Sequence, residues 1–140
     1  MAGLVRIDDA LIAKTVMPVL REYPEVAGAF HFGSSLGMCR PDSDIDVGLV
    51  CVPLPPRPER EYERLTSQII NRLSPVDGHH FDLVVLNSLS SILAFRIIKS
   101  GKLIYQNDPG TVTDFIEKIS RQYGENYPRY SAAVRLIVGV

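Results

Sequence analysis

A chain of 140 residues with 15 basic and 16 acidic side chains, and so a net charge of −1, lacks the electrostatic footprint of a protein that tracks extended nucleic acid, which argues against a polymerase-like role. Its 46% apolar content suits one globular domain with a real core, no apolar run reaches the length that spans a bilayer, and residues 1–12 carry Arg6, Asp8 and Asp9 where a secretory signal would be apolar. Two cysteines are too few for a disulfide framework and have no metal-ligand spacing, so the expected setting is the cytoplasm.

In chain order, residues 8–23 predict a first helix, with Asp8 or Asp9 as its cap and Leu11, Ile12, Val16, Val19 and Leu20 recurring at helical spacing. Pro18 is expected to kink or shorten its last turns. The apolar run VAGAFHF, residues 26–32, reads as a strand, with His31 packed and hydrogen-bonded inside it. Gly33 then falls where the strand ends and the chain must turn, and a glycine there lets a ligand approach the backbone closely. Ser34 is expected to cap a helix whose unpaired N–H groups and positive dipole end would face a phosphate or another anion.

Pro41, Asp42 and Ser43 form the next turn, and DIDVGLVCV, residues 44–52, the next strand. Strand side chains alternate, so Asp44 and Asp46 share one face, about 7 Å apart at the backbone, while Ile45, Val47 and Leu49 share the other. Two neighbouring carboxylates repel unless a cation lies between them, and a hard divalent metal is the natural candidate. The plainer reading is a pair of solvated strand-end acids. Cys51, in the apolar strand, reads as a small core residue.

Gly33-Ser34 followed by Arg40-Pro41-Asp42-Ser43-Asp44-Ile45-Asp46 resembles the signature of the DNA polymerase beta-like nucleotidyltransferase superfamily, in its minimal single-domain (MNT) branch. That branch commonly has G-S-x-A-x-G and then R-P-x-S-D-I-D-L. The second half is matched almost throughout, whereas the stretch from Gly33 to Gly37 is one residue shorter than the family's loop and has Ser35 where the family often carries arginine. The resemblance covers roughly residues 8–106 and implies an α/β (α+β) fold, a small mixed sheet packed against helices. Residues 1–140 would then be a single domain, with residues 108–140 as a helical, apolar extension.

Beyond the motif, PLPPRPER, residues 53–60, reads as a stiff surface linker. The charge run over residues 57–64 reads as a solvated helix face or, alternatively, as a rim for an acceptor. Tyr62, Leu65, Ile69, Ile70 and Leu73 predict a second long helix ending near Ser74-Pro75, and HFDLVVLN, residues 80–87, a third strand. A strand, a helix of this length and a strand favour a right-handed parallel crossover, which brings both strand starts to one end of the sheet. Asp82 would then join Asp44 and Asp46; standing alone it would read equally well as a cap or turn residue. His79 and His80 read as bland turn residues, with His80 a candidate for supporting a metal ligand.

Ser88 is expected to cap a helix carrying Leu89, Ile92, Leu93 and Ile97 and closed by Ser100-Gly101, before a short edge strand at residues 102–106. The block I-x-x-G-x-x-I-Y from Ile98 to Tyr105 also resembles the close of MNT domains. Phe115, Ile116, Ile119 and Tyr123 predict a final helix, followed by a break and an apolar tail, residues 130–140, that packs back on the domain or meets another protein.

The resemblance implies transfer of AMP from ATP to a hydroxyl, with release of pyrophosphate. Asp44, Asp46 and Asp82 would be the catalytic residues and would hold two Mg²⁺ ions, with Asp82 as ligand, base or both. Gly33, Ser34, Ser35 and Ser43 would contact the nucleotide. MNT proteins of this size resemble the antitoxin of HEPN/MNT toxin–antitoxin pairs, so the expected acceptor is a tyrosine of a HEPN ribonuclease toxin, met in a hetero- or homo-oligomer through residues 108–140. The alternatives are transfer to a small molecule such as an aminoglycoside, and a catalytically silent antitoxin that acts by contact alone.

Overall fold

The computed structural model describes residues 3–53 and 58–123. A two-residue strand, β1 (Val5–Arg6), leads into helix α1 (Asp9–Leu20). Asp8 caps α1, its Oδ1 accepting from the Ala10 N–H at 2.9 Å, and so satisfies one of the donors that a first helical turn leaves without a partner. Pro18 is accommodated within the helix, which stops at Leu20, short of the sequence expectation of residue 23. Ile12, Val16 and Leu20 form its buried stripe, whereas Leu11 is partly exposed.

Strand β2 (Val26–Phe32) is followed by a single 3-10 turn, Ser34–Leu36, and by strands β3 (Met38–Cys39) and β4 (Ile45–Cys51). Helix α2 (Glu59–Ile70) connects β4 to β5 (Phe81–Val85). A second 3-10 turn, Leu86–Ser88, precedes helix α3 (Ser91–Ser100), strand β6 (Lys102–Gln106) and helix α4 (Pro109–Gln122). The main sheet has the order β5-β4-β2-β6. Strand β2 is antiparallel to both neighbours and β4 is parallel to β5, so the sheet is mixed, the α2 connection joins parallel strands, and β6 lies at an edge, all as the sequence predicts.

Both faces of this sheet are covered. Ile45, Val47 and Leu49 pack with Ile12, Val16 and Leu20 of α1 and with Leu65 and Ile69 of α2. Ala27, Phe30 and Val50 turn the other way, toward Ala94 and Ile98 of α3 and Val112, Ile116 and Ile119 of α4. Each fully buried aliphatic side chain in these layers contributes about 1.5–3 kcal/mol. Burial pushes the Cys51 thiol up to about 12, with Glu25 adding to the shift, in keeping with an inert core residue.

Helix α3 departs from its expected design. Its cap is Ser90, whose Oγ accepts from the Leu93 N–H at 3.4 Å, because the Ser88 hydroxyl is already donated back to the Val85 carbonyl at 2.9 Å. The buried stripe is Ala94 and Ile98, while Ile92 and Leu93 are 53% and 48% exposed. Ala94 is small, so a search for large apolar residues passes over it and sets the helix in the wrong phase. Just upstream, the Asn87 side chain imitates a strand partner: it accepts from the Cys51 N–H at 2.8 Å and donates to the Cys51 carbonyl at 3.1 Å. The β1–β3 pairing, Val5 opposite Cys39 and Arg6 opposite Met38, was not foreseen either, since two-residue strands are too short to show alternation.

The final helix forms as expected, with Val112, Ile116 and Ile119 inward and Tyr123 stacked on Phe95 at 4.8 Å between ring centroids. The expected apolar tail, residues 130–140, lies outside the described residues, as does part of the proline-rich linker. Among the described residues no helix is long and apolar enough to cross a membrane.

Candidate active site

The parallel ladder between β4 and β5 places Asp46 directly opposite Asp82. Adjacent strands lie about 4.8 Å apart, so two carboxylates on one face at this position are neighbours. The pairing reaches one residue further back, where the Ile45 N–H donates to the His80 carbonyl at 2.8 Å, and this holds Asp44 beside the start of β5. Asp44 and Asp82 are exposed and Asp46 is half-buried. Burial, then Asp82, then Asp44 hold the Asp46 carboxyl above the usual carboxylate range. The structure thus brings the three predicted acids into one electrostatic group.

On the other side of β4, Phe32 pairs with Asp46, so the chain leaves β2 next to that carboxylate. Gly33 follows with φ 83° and ψ −164°, a conformation open essentially to glycine alone. A Cβ at this position would also overlap Asp46 Oδ2. The backbone conformation requires glycine, and any side chain there would also displace the Asp46 carboxylate. Beyond it the expectation of a helix capped by Ser34 is corrected: Ser34–Leu36 is a single 3-10 turn with no side-chain cap, closed by Leu36 N–H to Gly33 O at 3.2 Å and Gly37 N–H to Ser34 O at 3.4 Å. So short a turn has no macrodipole to offer an anion, only individual backbone and hydroxyl groups. Ser34 is exposed on this turn, whereas Ser35 is 1% exposed, with its Oγ 2.7 Å from His31 Nε2.

Ser43 is half-buried and closes the turn before the acids, its N–H donating to the Arg40 carbonyl at 3.0 Å. The Ser43 carbonyl accepts from His79 Nδ1 at 2.6 Å, and His79 is 5% exposed. His79 is therefore no bland turn residue: it ties the turn preceding Asp44 to the segment preceding Asp82. Its own backbone pairs both ways with Val76, at 2.8 and 3.0 Å, around a turn in which Asp77 and Gly78 have positive φ. The Asp-Gly dipeptide was the signal for that turn, and with it for an inward residue immediately after. His80 is exposed and contributes only its carbonyl to the ladder.

His31 is packed and hydrogen-bonded as expected, with no exposed surface. Burial lowers its pKa, Asp9 counteracts that and Lys102 reinforces it, so the ring is neutral at pH 7.

Among the described residues, no group of three or more His, Cys, Asp or Glu side chains is placed so that it could hold a metal ion. An open set of carboxylates is nonetheless the arrangement that Mg²⁺ uses, because it keeps waters and substrate phosphates among its ligands and takes only one or two carboxylates from the protein. The all-oxygen donor set of Asp44, Asp46 and Asp82, with one member already unfavourable as an uncompensated anion, fits such an ion.

Comparison with known proteins agrees with this geometry. No curated protein matches the chain. A family model described as polymerase beta, nucleotidyltransferase, matches residues 14–110. Among solved structures, the chain is similar to an MntA–HepT toxin–antitoxin complex at 20% identity and a TM-score of 0.56, with 82% of this chain and 86% of that one covered. It is similar also to an MNT antitoxin complex with a tri-AMPylated HEPN toxin from Shewanella oneidensis, at 22% identity and a TM-score of 0.54, covering 84% and 87%. A toxin–antitoxin structure with AMP-PNP follows at 21% identity and a TM-score of 0.53, covering 80% and 86%. At these identities the structures speak for the fold, while the family match spans more than half of the sequence: the chain belongs to the polymerase beta nucleotidyltransferase family, and it is a nucleotidyltransferase.

Proposed function

We propose that this nucleotidyltransferase moves AMP from ATP to a tyrosine hydroxyl of a HEPN-type toxin and so acts as its antitoxin. The observation that carries the reading is the meeting of two elements on one carboxylate: Asp46 is opposite Asp82 in the β4–β5 ladder and in contact range of Gly33 at the end of β2. A cation site and a phosphate-approach site then share a wall. The similar structures with AMP-PNP and with a tri-AMPylated toxin support both the nucleotide and the kind of acceptor.

Asp44, Asp46 and Asp82 would hold two Mg²⁺ ions. When bound, these supply charge neutralisation at the α-phosphate and at the departing pyrophosphate. Gly33 and Ser34 receive the terminal phosphates at the open side of the turn, and Ser43 contacts the nucleotide from the turn before Asp44. Ser35 acts from beneath, through its buried hydroxyl. Asp82, exposed at the start of β5, takes the acceptor hydroxyl's proton on its carboxylate. The rate comes mainly from holding the hydroxyl and the phosphorus in line in a fixed electrostatic environment. The acceptor protein, in this reading, meets the chain through residues 108–140.

The test is to purify the chain with its host-cell partner, add ATP and Mg²⁺, and read the partner's intact mass, with an Asp44→Asn/Asp46→Asn variant alongside. Adducts of the mass of AMP, made only by the unaltered carboxylates, are the expected result. A stable complex that gives no adduct with any nucleotide would replace this reading with a silent antitoxin, for which the short 3-10 turn after Gly33 would be the reason. Adducts on a small molecule but not on the protein would move the acceptor to the aminoglycoside class.

A further inference from the structure

We propose that His31 is a positioning residue for the nucleotide: through Ser35 it fixes the 3-10 turn after Gly33 in the shape that receives the phosphates. This rests on the nucleotidyl-transfer reading and adds to it a residue outside the Gly-Ser and Asp-x-Asp motif. The geometry is a chain of contacts running from the sheet edge to the loop. Lys102 Nζ, on β6, donates to Asp9 Oδ2 at 3.3 Å. Asp9 Oδ1, on α1, lies 3.8 Å from His31 Nδ1. That is too long for a hydrogen bond, and Nδ1 has no other partner among the described residues, so the contact is electrostatic. His31 Nε2, on β2, is 2.7 Å from Ser35 Oγ inside the turn.

The direction of the last bond follows from the first two. An anionic carboxylate facing Nδ1 favours the tautomer with its proton on Nδ1, which leaves Nε2 as an acceptor and makes the Ser35 hydroxyl the donor. Ser34–Leu36 has no side-chain cap, and Gly33 before it has no side chain with which to hold itself. The buried Ser35–His31 bond is therefore the side-chain tie between the turn and the sheet. Both partners are essentially inaccessible to water, at 0% and 1% exposure, so breaking the bond leaves an unpaired buried polar atom. A turn held in place before the ligand arrives loses less freedom on binding, and that saving appears in nucleotide affinity rather than in the chemical step.

The experiment is MgATP affinity of the full chain by calorimetric titration, with KM for ATP and kcat for AMP transfer to the co-purified partner, for wild type, His31→Leu, His31→Gln, Ser35→Ala and the double variant His31→Leu/Ser35→Ala. We expect His31→Leu and Ser35→Ala each to raise Kd and KM by about five- to tenfold, the scale of one buried hydrogen bond, with kcat nearly unchanged. The double variant should be no worse than either single one, since both remove the same bond. His31→Gln, which can place an amide acceptor near Ser35, should recover most of the affinity. Nitrogen chemical shifts of the wild-type imidazole should show Nδ1 protonated and Nε2 bare, a readout that does not depend on any variant folding. Wild type that binds MgATP while folded Ser35→Ala binds it equally well overturns this proposal alone, as do additive losses or an Nε2-protonated ring. Wild type without affinity for MgATP overturns the nucleotidyl-transfer reading, and this proposal with it.

Discussion

The two halves of the site are built by different physics. The acids stand on a regular ladder: β4 and β5 pair in register over Ile45–Phe81 through Leu49–Val85, and that register alone sets Asp46 beside Asp82. The loop half, from Gly33 to Gly37, has no ladder of its own. Gly33 to Gly37 turns through one strained glycine and one 3-10 turn, steadied by a side-chain bond to His31 and by the short β1–β3 pairing. One half is therefore stiff because the sheet is stiff, while the other is stiff only as far as individual contacts make it so. The difference predicts where substitutions act: in the ladder half they change charge and leave shape alone, and in the loop half they change shape first.

The largest effect belongs to charge in the ladder half. Asp46→Asn and Asp82→Asn should each lower the initial rate of AMP incorporation into the partner by at least ~100-fold, the scale on which loss of a preorganised charge acts on a transition state. Stability should move the other way for Asp46→Asn. The native carboxyl is half-buried and faces two like charges, so replacing it with a neutral isostere removes a repulsion, and the thermal midpoint measured without Mg²⁺ should rise. A fall in both activity and midpoint would mean that Asp46 serves the fold and not the cation.

Next comes shape in the loop half. Gly33→Ala introduces a Cβ that overlaps Asp46 Oδ2 and forces a side chain into a glycine-only conformation. Strain of this kind costs about 1–3 kcal/mol. Urea unfolding should show that loss, and MgATP affinity should fall with it because the turn and the carboxylate are pushed apart. An alanine variant with native stability and native affinity would show that the loop relaxes freely and that its shape is not what governs binding.

What could be read from the sequence divides along the same line. Alternation in residues 44–52 placed Ile45, Val47 and Leu49 opposite Asp44 and Asp46, and the strand–helix–strand spacing delivered the parallel pairing that brings Asp82 in. These are periodic signals, and a ladder is a periodic object. His31, Ser35, Asp9 and Lys102 could not be found that way, because Lys102 and Asp9 are 93 positions apart and meet only once the sheet and α1 have packed. The turn after Gly33 was expected to be a helix because Ser34 has the chemistry of a cap, yet a cap says where a helix could start and nothing of how far it runs. Ala94 shows the same limit in the core, where a small residue carries a contact that size-based patterning skips.

His79 tests whether the ladder half is as self-sufficient as it looks. Its Nδ1 donates to the Ser43 carbonyl just before Asp44, so one buried side chain supplements the backbone there. His79→Leu leaves that carbonyl unpaired and should cost about 1–3 kcal/mol in urea unfolding. If the ladder sets the acids by itself, the remaining folded protein should keep its Mg²⁺ affinity within about twofold, far short of the tenfold that 1.4 kcal/mol would represent. A loss of metal affinity as large as the loss of stability would instead make His79 the counterpart of His31, and both halves would then depend on a buried imidazole.

The smallest effect is the pH dependence that separates these groups. Burial lowers the His31 pKa from its ordinary 6.5, against the pull of Asp9 and with the push of Lys102. The unfolded chain thus takes up a proton near pH 6.5 that the folded chain refuses until lower pH, so His31 makes the protein lose stability as pH falls from 6.5 to the folded-state value. Asp46 acts in the opposite sense, in a window that opens at 3.8. Its folded-state pKa is raised above 3.8, so the native state holds that proton more tightly, and the stability this gives is lost as pH rises from 3.8 through the raised value. Urea midpoints measured from pH 7.5 down to pH 5.5 should therefore fall less for His31→Gln than for wild type, because the glutamine has no proton to gain, while Asp46→Asn, which removes a contribution of the opposite sign, should not make that fall any shallower. Equal slopes for wild type and His31→Gln would mean that the imidazole is not held neutral by its burial, and the tie between Ser35 and the sheet would then have to survive a charged ring.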